Sequence, residues 1–221
     1  MLIESCAVPP FEKNGYVVAS ATTGDAIVID PGDEVEQLIA IVRRMGVTVR
    51  YIMLTHSHLD HISGCNQAKS AWDVPLVLHK DDLFLYERAV QQGIAFGVRM
   101  SPQPPIDAWF DRQPQWAFGD CTVTVHHTPG HSPGQVCLQI GEGGLAADHL
   151  FVGDTLFAGS IGRTDLPGGD HETLLRSVGE VLLPLGDECI VYPGHGPTTT
   201  IGQERRSNPF LAGIDRRQAP G

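Results

Sequence analysis

THSHLDH, residues 55–61, places three histidines and one aspartate within seven positions. Imidazole nitrogens and carboxylate oxygens are the side-chain atoms that hold divalent transition metals. At this chain's residue frequencies, the pattern His-x-His-x-Asp-His arises by accident on the order of one time in a thousand. A solvated polar loop is therefore a poor account of it. Residues two apart on an extended chain face the same way, so His56 and His58 can grip one ion together. His61 breaks that alternation and points elsewhere, along with Asp60 at the turn into the next helix. Two directions from one loop suggest two ions.

Outward from this segment, the same arrangement recurs at other strand ends. YIMLT (51–55) runs into the motif, and CTVTVHHTPG (121–130) turns into His131. HLFVG (149–153) runs into Asp154, and CIVYPG (189–194) runs into His195. Each time an apolar β segment stops and a ligand type of residue follows, so one edge of a sheet system would gather them in a cleft. Seven candidates exceed the four of a tetrahedral site. Sharing Asp154 assigns His56, His58, His131 and Asp154 to one ion, and Asp60, His61, His195 and Asp154 to the other. A water or hydroxide between them completes both shells, with the ions roughly 3.5–4 Å apart. Zinc is the first choice for such a mixed set, and iron or manganese also fit it. Gly130, Gly153, Gly194 and Gly196 flank the ligands and permit tight turns there.

Composition narrows the partners. Net charge is −11 with only 15 Lys and Arg, which argues against nucleic acid or an anionic membrane as the main partner. No apolar run approaches the roughly 20 residues that span a bilayer. The N-terminus carries Glu4 and prolines where a signal peptide needs an apolar core. Five scattered cysteines, never in a C-x-x-C pair, read as free thiols in a reducing compartment. A cytoplasmic protein acting on a small molecule is the expectation; the oligomeric state is open.

The rest reads as alternating strands and helices. YVVAS and DAIVIDPG are strands, Glu34 to Met45 is a helix stopped by Gly46, and VRYIMLT is a strand. Helices are expected at Ile62–Trp72, Lys80–Val90 and Glu172–Leu183. Further strands are PLVLH, CTVTVHH, QVCLQI, HLFVGD and CIVYPG. Residues 93–118 lack a clear period and read either as a lid near a substrate pocket or as surface packing. With no internal repeat or dividing linker, residues 1–221 read as one α/β domain of layered architecture.

THSHLDH, HTPGHSPG, FVGDTLF and YPGHG, in that order, resemble the metallo-β-lactamase superfamily, over nearly the whole chain from VIDPG (28–32) to His195 and the tail. The resemblance implies an αββα sandwich of four layers with a dinuclear site at one edge. Within the superfamily, the pattern is most similar to the glyoxalase II-like (hydroxyacylglutathione hydrolase-like) branch. Its ligand pattern maps onto His56, His58, Asp60, His61, His131, Asp154 and His195. True β-lactamases usually differ at the position of His61 and carry Cys where Asp154 stands. GSIGRTDLPGGDHETL and TIGQERRSNPFL resemble short, single-domain members, without the C-terminal helical domain that helps the standard enzyme grip glutathione.

Two further departures bear on substrate. Arg163 matches a cation of that enzyme, but Asp165 stands where a tyrosine follows it, and Pro197 stands where another glutathione-contacting tyrosine would be. The Gly-Arg-Thr-Asp run also resembles the persulfide dioxygenases, which use one iron and oxygen. The reaction implied is hydrolysis of a thioester such as S-D-lactoylglutathione. Asp60 is then expected to orient the attacking water and accept its proton, and Arg163 to pair with a substrate carboxylate. A metal-stabilised binding protein without turnover is the reading from another class.

Other residues have plainer readings. His126 and His127 are expected to be structural or supporting, and His79, His149 and His171 to be surface or strand-end residues. Asp30 either supports a ligand histidine or forms a turn, and Asp165 is expected to cap the next segment. Arg43, Arg44, Arg205, Arg206, Arg216 and Arg217 read as solvated charge.

Overall fold

The computed structural model describes residues 1–143, 149–212 and 214. Arg216 and Arg217 lie outside the described residues. Strand β1 (Leu2–Cys6) leads into β2 (Gly15–Ala19) and β3 (Asp25–Ile29), then helix α1 (Val35–Met45) and β4 (Thr48–Met53). Short helix α2 (Leu59–Ile62) and α3 (Cys65–Trp72) precede β5 (Leu76–Leu78), and α4 (Leu83–Tyr86) and α5 (Ala89–Phe96) precede β6 (Ala108–Trp109). The second half holds β7 (Gln115–Phe118), β8 (Cys121–His127), β9 (Val136–Glu142), β10 (His149–Gly153), β11 (Leu156–Phe157) and β12 (Ser160–Ile161). It ends with α6 (His171–Ser177), β13 (Ile190–Pro193), β14 (Thr199–Thr200) and α7 (Ile201–Ser207).

Two six-stranded sheets face each other, one in the order β1-β2-β3-β4-β5-β6 and the other β14-β13-β10-β9-β8-β7. Pairing is parallel from β3 through β6 and between β10 and β13, and antiparallel elsewhere. Strand alternation sorts side chains between layers. On β2, Tyr16 and Val18 point into the core between the sheets, while Val17 and Ala19 point outward against Leu38 and Val42 of α1. Ile27 and Ile29 of β3 meet Leu138, Ile140 and Phe151 of the other sheet. The far face of the second sheet packs Leu150, Val152 and Val191 against Leu174, Val178 and Ile201. Both faces of each sheet are covered, which is why these strands read as near-continuous apolar runs. The architecture is the expected αββα sandwich.

Some elements differ from expectation for local reasons. The helix expected from Ile62 begins earlier, as α2, and breaks at Ser63-Gly64. There Gly64 N–H donates to the Pro31 carbonyl (2.9 Å), and any side chain on Gly64 would strike the Pro31-Gly32 backbone. The stretch 93–118 is not a lid as a whole. Its start completes α5, and its end supplies β6 and β7, with Phe110, Trp116 and Phe118 in the core between the sheets. The prolines between run over the surface, tied by Tyr86 Oη to the Pro104 carbonyl (2.7 Å) and Asn66 Nδ2 to that of Pro102 (2.9 Å). Four of the five cysteines are buried, Cys6 is half-buried, and all are free thiols. Among the described residues no helix is long and apolar enough to cross a membrane.

Candidate metal centre

The seven expected ligands converge at one end of the sandwich, between the two sheets. β4 is hydrogen-bonded on both sides, by β3 and β5, so the exit of THSHLDH from the sheet is fixed. Thr55, just beyond β4, accepts the Val136 N–H of β9 through its carbonyl (2.9 Å), which joins the sheets beside the motif. His58 stands in extended conformation immediately before α2, and α2 carries Asp60 and His61. His131 lies in the β8–β9 connection, Asp154 directly after β10, and His195 directly after β13. Two glycines matter here. Gly153 has φ +48°, and a Cβ on Gly194 would sit 2.8 Å from His61 Cε1 and closer still to Asp154 Oδ1.

Three imidazoles form one cluster. His131 Nε2 lies 2.7 Å from His58 Nδ1 and 3.1 Å from His56 Nε2. Ligand nitrogens at about 2.0–2.1 Å from a tetrahedral zinc would be about 3.3 Å apart, close to what is seen. The surrounding bonds choose the tautomers. His131 Nδ1–H donates to the Arg163 carbonyl (2.8 Å), so its Nε2 presents a lone pair. The Thr55 hydroxyl donates to Asp30 Oδ2 (2.6 Å), so it accepts from His56 Nδ1 (3.1 Å), and His56 Nε2 is likewise a lone pair. Such lone pairs meeting at one point repel unless a cation lies among them.

The second cluster joins Asp60, His61 and His195. Asp60 Oδ2 lies 3.1 Å from His195 Nε2 and 3.8 Å from His61 Nε2. Asp154 stands between the clusters, its Oδ2 3.6 Å from both His131 Nε2 and His195 Nε2 and its Oδ1 3.3 Å from His61 Nε2. His61 Nε2 and Asp154 Oδ1 are buried and make no hydrogen bond. Two buried polar atoms 3.3 Å apart that make no hydrogen bond have an unmet need, and a cation meets it.

Electrostatics point the same way. Burial and the neighbouring imidazoles hold His56 well below the usual histidine range, and burial with His131 pushes His58 down to about 3. Both are therefore neutral, which is the form that binds metal. Burial also opposes charge on His61, yet Asp154, Asp60 and Asp30 outweigh it and push that ring up to about 10. Burial opposes ionisation of Asp154 and Asp60 as well, but His61 leads the imidazoles that hold both carboxyls below the usual range. The site demands positive charge. The donor set, its tautomers and its charge fit two divalent ions.

Asp30 supports a ligand histidine: it accepts from Thr55 N–H (2.7 Å), from the Thr55 hydroxyl and from His61 Nδ1–H (2.9 Å). It holds φ +51°, a left-handed backbone that Asp tolerates better than most residues. Arg163 stands at the rim of a cleft of about 220 Å³ over the clusters, walled by Phe11, Leu59, Phe96 and Leu166. Its guanidinium forks onto Asp165 through two bonds of 2.8 and 2.7 Å, so Asp165 pairs with it, and Asp170 is the residue that caps α6. His126 bonds Gln139 (2.8 Å) and His149 bonds Tyr192 (2.9 Å), both away from the clusters. His79 and His127 stack face to face at 4.2 Å with Asp81 nearby, but parallel rings do not aim their in-plane lone pairs at one point.

Several supporting residues carry no sequence signal. Lys13 is buried, its ammonium bonded to Glu34 and the Asp30 carbonyl while its backbone bridges to His195. Tyr16 Oη donates to the Pro193 carbonyl (2.6 Å), and Asn14 Nδ2 to those of Pro193 and Gly196 (3.1 and 2.8 Å). Asp82, wholly buried, bonds both the His56–His58 loop and the loop after His131. Nothing in KDD (80–82) marks it; these partners are 25 to 52 residues away in the chain.

Comparison with known proteins agrees with this fold. The family model described as metallo-beta-lactamase superfamily matches residues 8–195. The hydroxyacylglutathione hydrolase GloC of Haemophilus influenzae is 39% identical over 96% of this chain and 98% of its own length. The crystal structure titled BLEG-1 B3 metallo-beta-lactamase is 38% identical with a TM-score of 0.87, covering 96% of this chain and 100% of that one. TTHA1623, solved in a di-iron-bound form, is 39% identical with a TM-score of 0.82, covering 94% of this chain and 100% of that one.

Proposed function

Since the chain belongs to the metallo-β-lactamase superfamily, whose hydrolase-type members bind divalent metals, often two, we propose that it is a dinuclear metal-dependent thioester hydrolase. The specific type is glyoxalase II-like, that is, hydroxyacylglutathione hydrolase-like. The observation that carries this reading is the pair of ligand clusters with Asp154 Oδ2 at 3.6 Å from an imidazole of each. His56, His58 and His131 would hold one ion, Asp60, His61 and His195 the other, and Asp154 both. Divalent ions held there would lower the pKa of water toward neutrality and polarise a carbonyl. Zinc is the first candidate. The di-iron form of TTHA1623 keeps iron in view, and the ligand types also admit manganese.

The chain's own residues supply the rest. Asp60, ionised at neutral pH, faces the cleft and accepts the proton of the attacking water. None of the described cysteines lines the cleft, so attack by water fits better than a covalent intermediate. Phe11, Leu59, Phe96 and Leu166 shield the reacting carbonyl from bulk water. A thiol leaving group, with a pKa near 8.5 by analogy with cysteine, needs little acid help. Arg163 is the candidate for a substrate carboxylate, in competition with Asp165. An acidic chain with a small cleft suits a small-molecule substrate, and free thiols suit a reducing cytoplasm.

The test is thiol release from S-D-lactoylglutathione by the purified, zinc-loaded chain. His58→Ala should abolish it, and an unchanged rate would sink the assignment. Lactam hydrolysis is the second reading, favoured by the identity to a protein titled B3 metallo-beta-lactamase. An amine leaves less readily than a thiolate, so turnover of a chromogenic cephalosporin should be much the slower of the two.

A further inference from the structure

His56 and His58 come from the sheet built by the first half of the chain, and His131 from the sheet built by the second half. Their three nitrogens must nevertheless meet within about 0.5 Å of an ideal geometry for one ion to be held. Strand pairing within either sheet cannot set the register between the two loops, and the single Val136 N–H to Thr55 carbonyl bond joins the sheets only at the start of the motif, before His56. We infer that Asp82 is the positioning residue that sets this register, one buried carboxylate clamping both loops. The inference rests on the metal-centre reading above.

Asp82 closes the helical turn Lys80–Asp82 that follows β5. Its Oδ2 accepts from the backbone N–H of Ser57, the residue between His56 and His58, at 2.7 Å. The same oxygen accepts from the hydroxyl of Ser132, next to His131, at 3.0 Å. Its Oδ1 accepts from the Gly134 N–H at 2.6 Å. Gly134 lies against it so closely that a Cβ there would be 2.5 Å from the Asp82 nitrogen. The side chain is wholly buried, so no solvent shares these bonds and each is stronger for it.

Position rules out a direct part in the reaction: Asp82 lies behind the ligand loops and does not line the cleft. The surroundings are built to hold it. Gln92 Nε2 donates to the Ser57 carbonyl (2.8 Å), and His127, at the end of β8, stacks on His79 of the same turn. The His195 side of the centre has a separate tether, through Tyr16 and Asn14 to Pro193 and Gly196. Loosening Asp82 should therefore affect the three-histidine cluster and spare the other.

Asp82→Asn is the variant of choice because it keeps the shape and replaces one acceptor by an NH2 group facing a donor. The full chain, loaded with Co(II), is challenged with graded chelator while the visible spectrum reports each ion's coordination. Uptake of two ions by the wild type tests the metal-centre reading separately. The expected result for Asp82→Asn is a 10- to 100-fold weaker hold on one ion, of the order seen when outer partners of metal ligands are removed, with the second ion within about threefold. Equal weakening of both ions, or a lowered melting temperature with both unchanged, would overturn the inference. Should Asp82→Asn fail to fold, Ser132→Ala, which removes a single bond, decides. A smaller loss at the same ion supports the clamp, and no loss overturns it.

Discussion

Replacing Asp30 with Asn should detach one ion while leaving the fold in place. Asn tolerates the left-handed backbone at φ +51°, and the side chain keeps its volume, so strain is small. The bonding changes sharply. Asp30 receives three donors: Thr55 N–H at 2.7 Å, the Thr55 hydroxyl at 2.6 Å and His61 Nδ1–H at 2.9 Å. An amide oxygen can keep the first, but its NH2 group then faces the others. The Thr55 hydroxyl can turn round and accept from that NH2 group while its other lone pair still takes the His56 Nδ1–H, so the three-histidine cluster keeps its tautomers. His61 can accept through Nδ1 only by moving its proton to Nε2, the atom that lies 3.3 Å from Asp154 and faces the second ion. Ligation by that tautomer is blocked. A bond between an imidazole and a carboxylate is worth about 1.5–3 kcal/mol, and loss of such a partner typically costs 10- to 100-fold in affinity, about 1.4–2.7 kcal/mol. Competition with a zinc chelator should therefore show one site weakened by that factor and the other within a few-fold. Affinities within twofold of wild type at both sites would refute the tautomer argument.

Chelation of the loaded protein should lower its melting temperature. An ion present at a thousand times its dissociation constant contributes about 4.1 kcal/mol, or roughly 8–16 °C at about 2–4 °C per kcal/mol for a chain of this size; scanning calorimetry checks this. Uptake at the His61 site should tighten about tenfold per pH unit between pH 6 and 8. The ring pushed up to about 10 must shed a proton for the cation, and this competition weakens as pH rises; a flat pH profile would contradict that charge balance. Gly194→Ala should fold yet lose metal, because its Cβ would displace Asp154 and crowd His61; elemental analysis of the purified variant reads this. Asp165→Asn should lower KM about two- to fivefold for thioesters whose thiol carries a carboxylate, with kcat unchanged. Steady-state kinetics against a thioester with an uncharged thiol provide the control.

The ligands were legible because metal chemistry is restricted to few residue types and because strands deliver them at their ends. His56, His58, Asp60 and His61 sit in one segment, and His131, Asp154 and His195 each close a run that burial on both faces makes apolar. Asp30 was ambiguous, since an aspartate before Pro-Gly serves a turn as readily as a neighbour; the Thr55 and His61 bonds decide it. The tethers were hidden. Lys13, Tyr16 and Asp82 act through partners 17 to 177 residues away, and neither period nor spacing encodes such pairings. The stretch 93–118 misled because its apolar residues do not follow a regular period, yet Phe110, Trp116 and Phe118 fill the space between the sheets. The break between α2 and α3 likewise depends on the Pro31-Gly32 turn approaching Gly64, a tertiary contact.

The central claim is that two cations sit side by side with Asp154 between them. An anomalous difference map from crystals of the metal-loaded chain, collected at the absorption edge of the bound element, tests it most directly. Two peaks are predicted, one enclosed by His56, His58 and His131 and the other by Asp60, His61 and His195, each within bonding distance of Asp154. A single peak, or two peaks that do not share Asp154, would contradict the account.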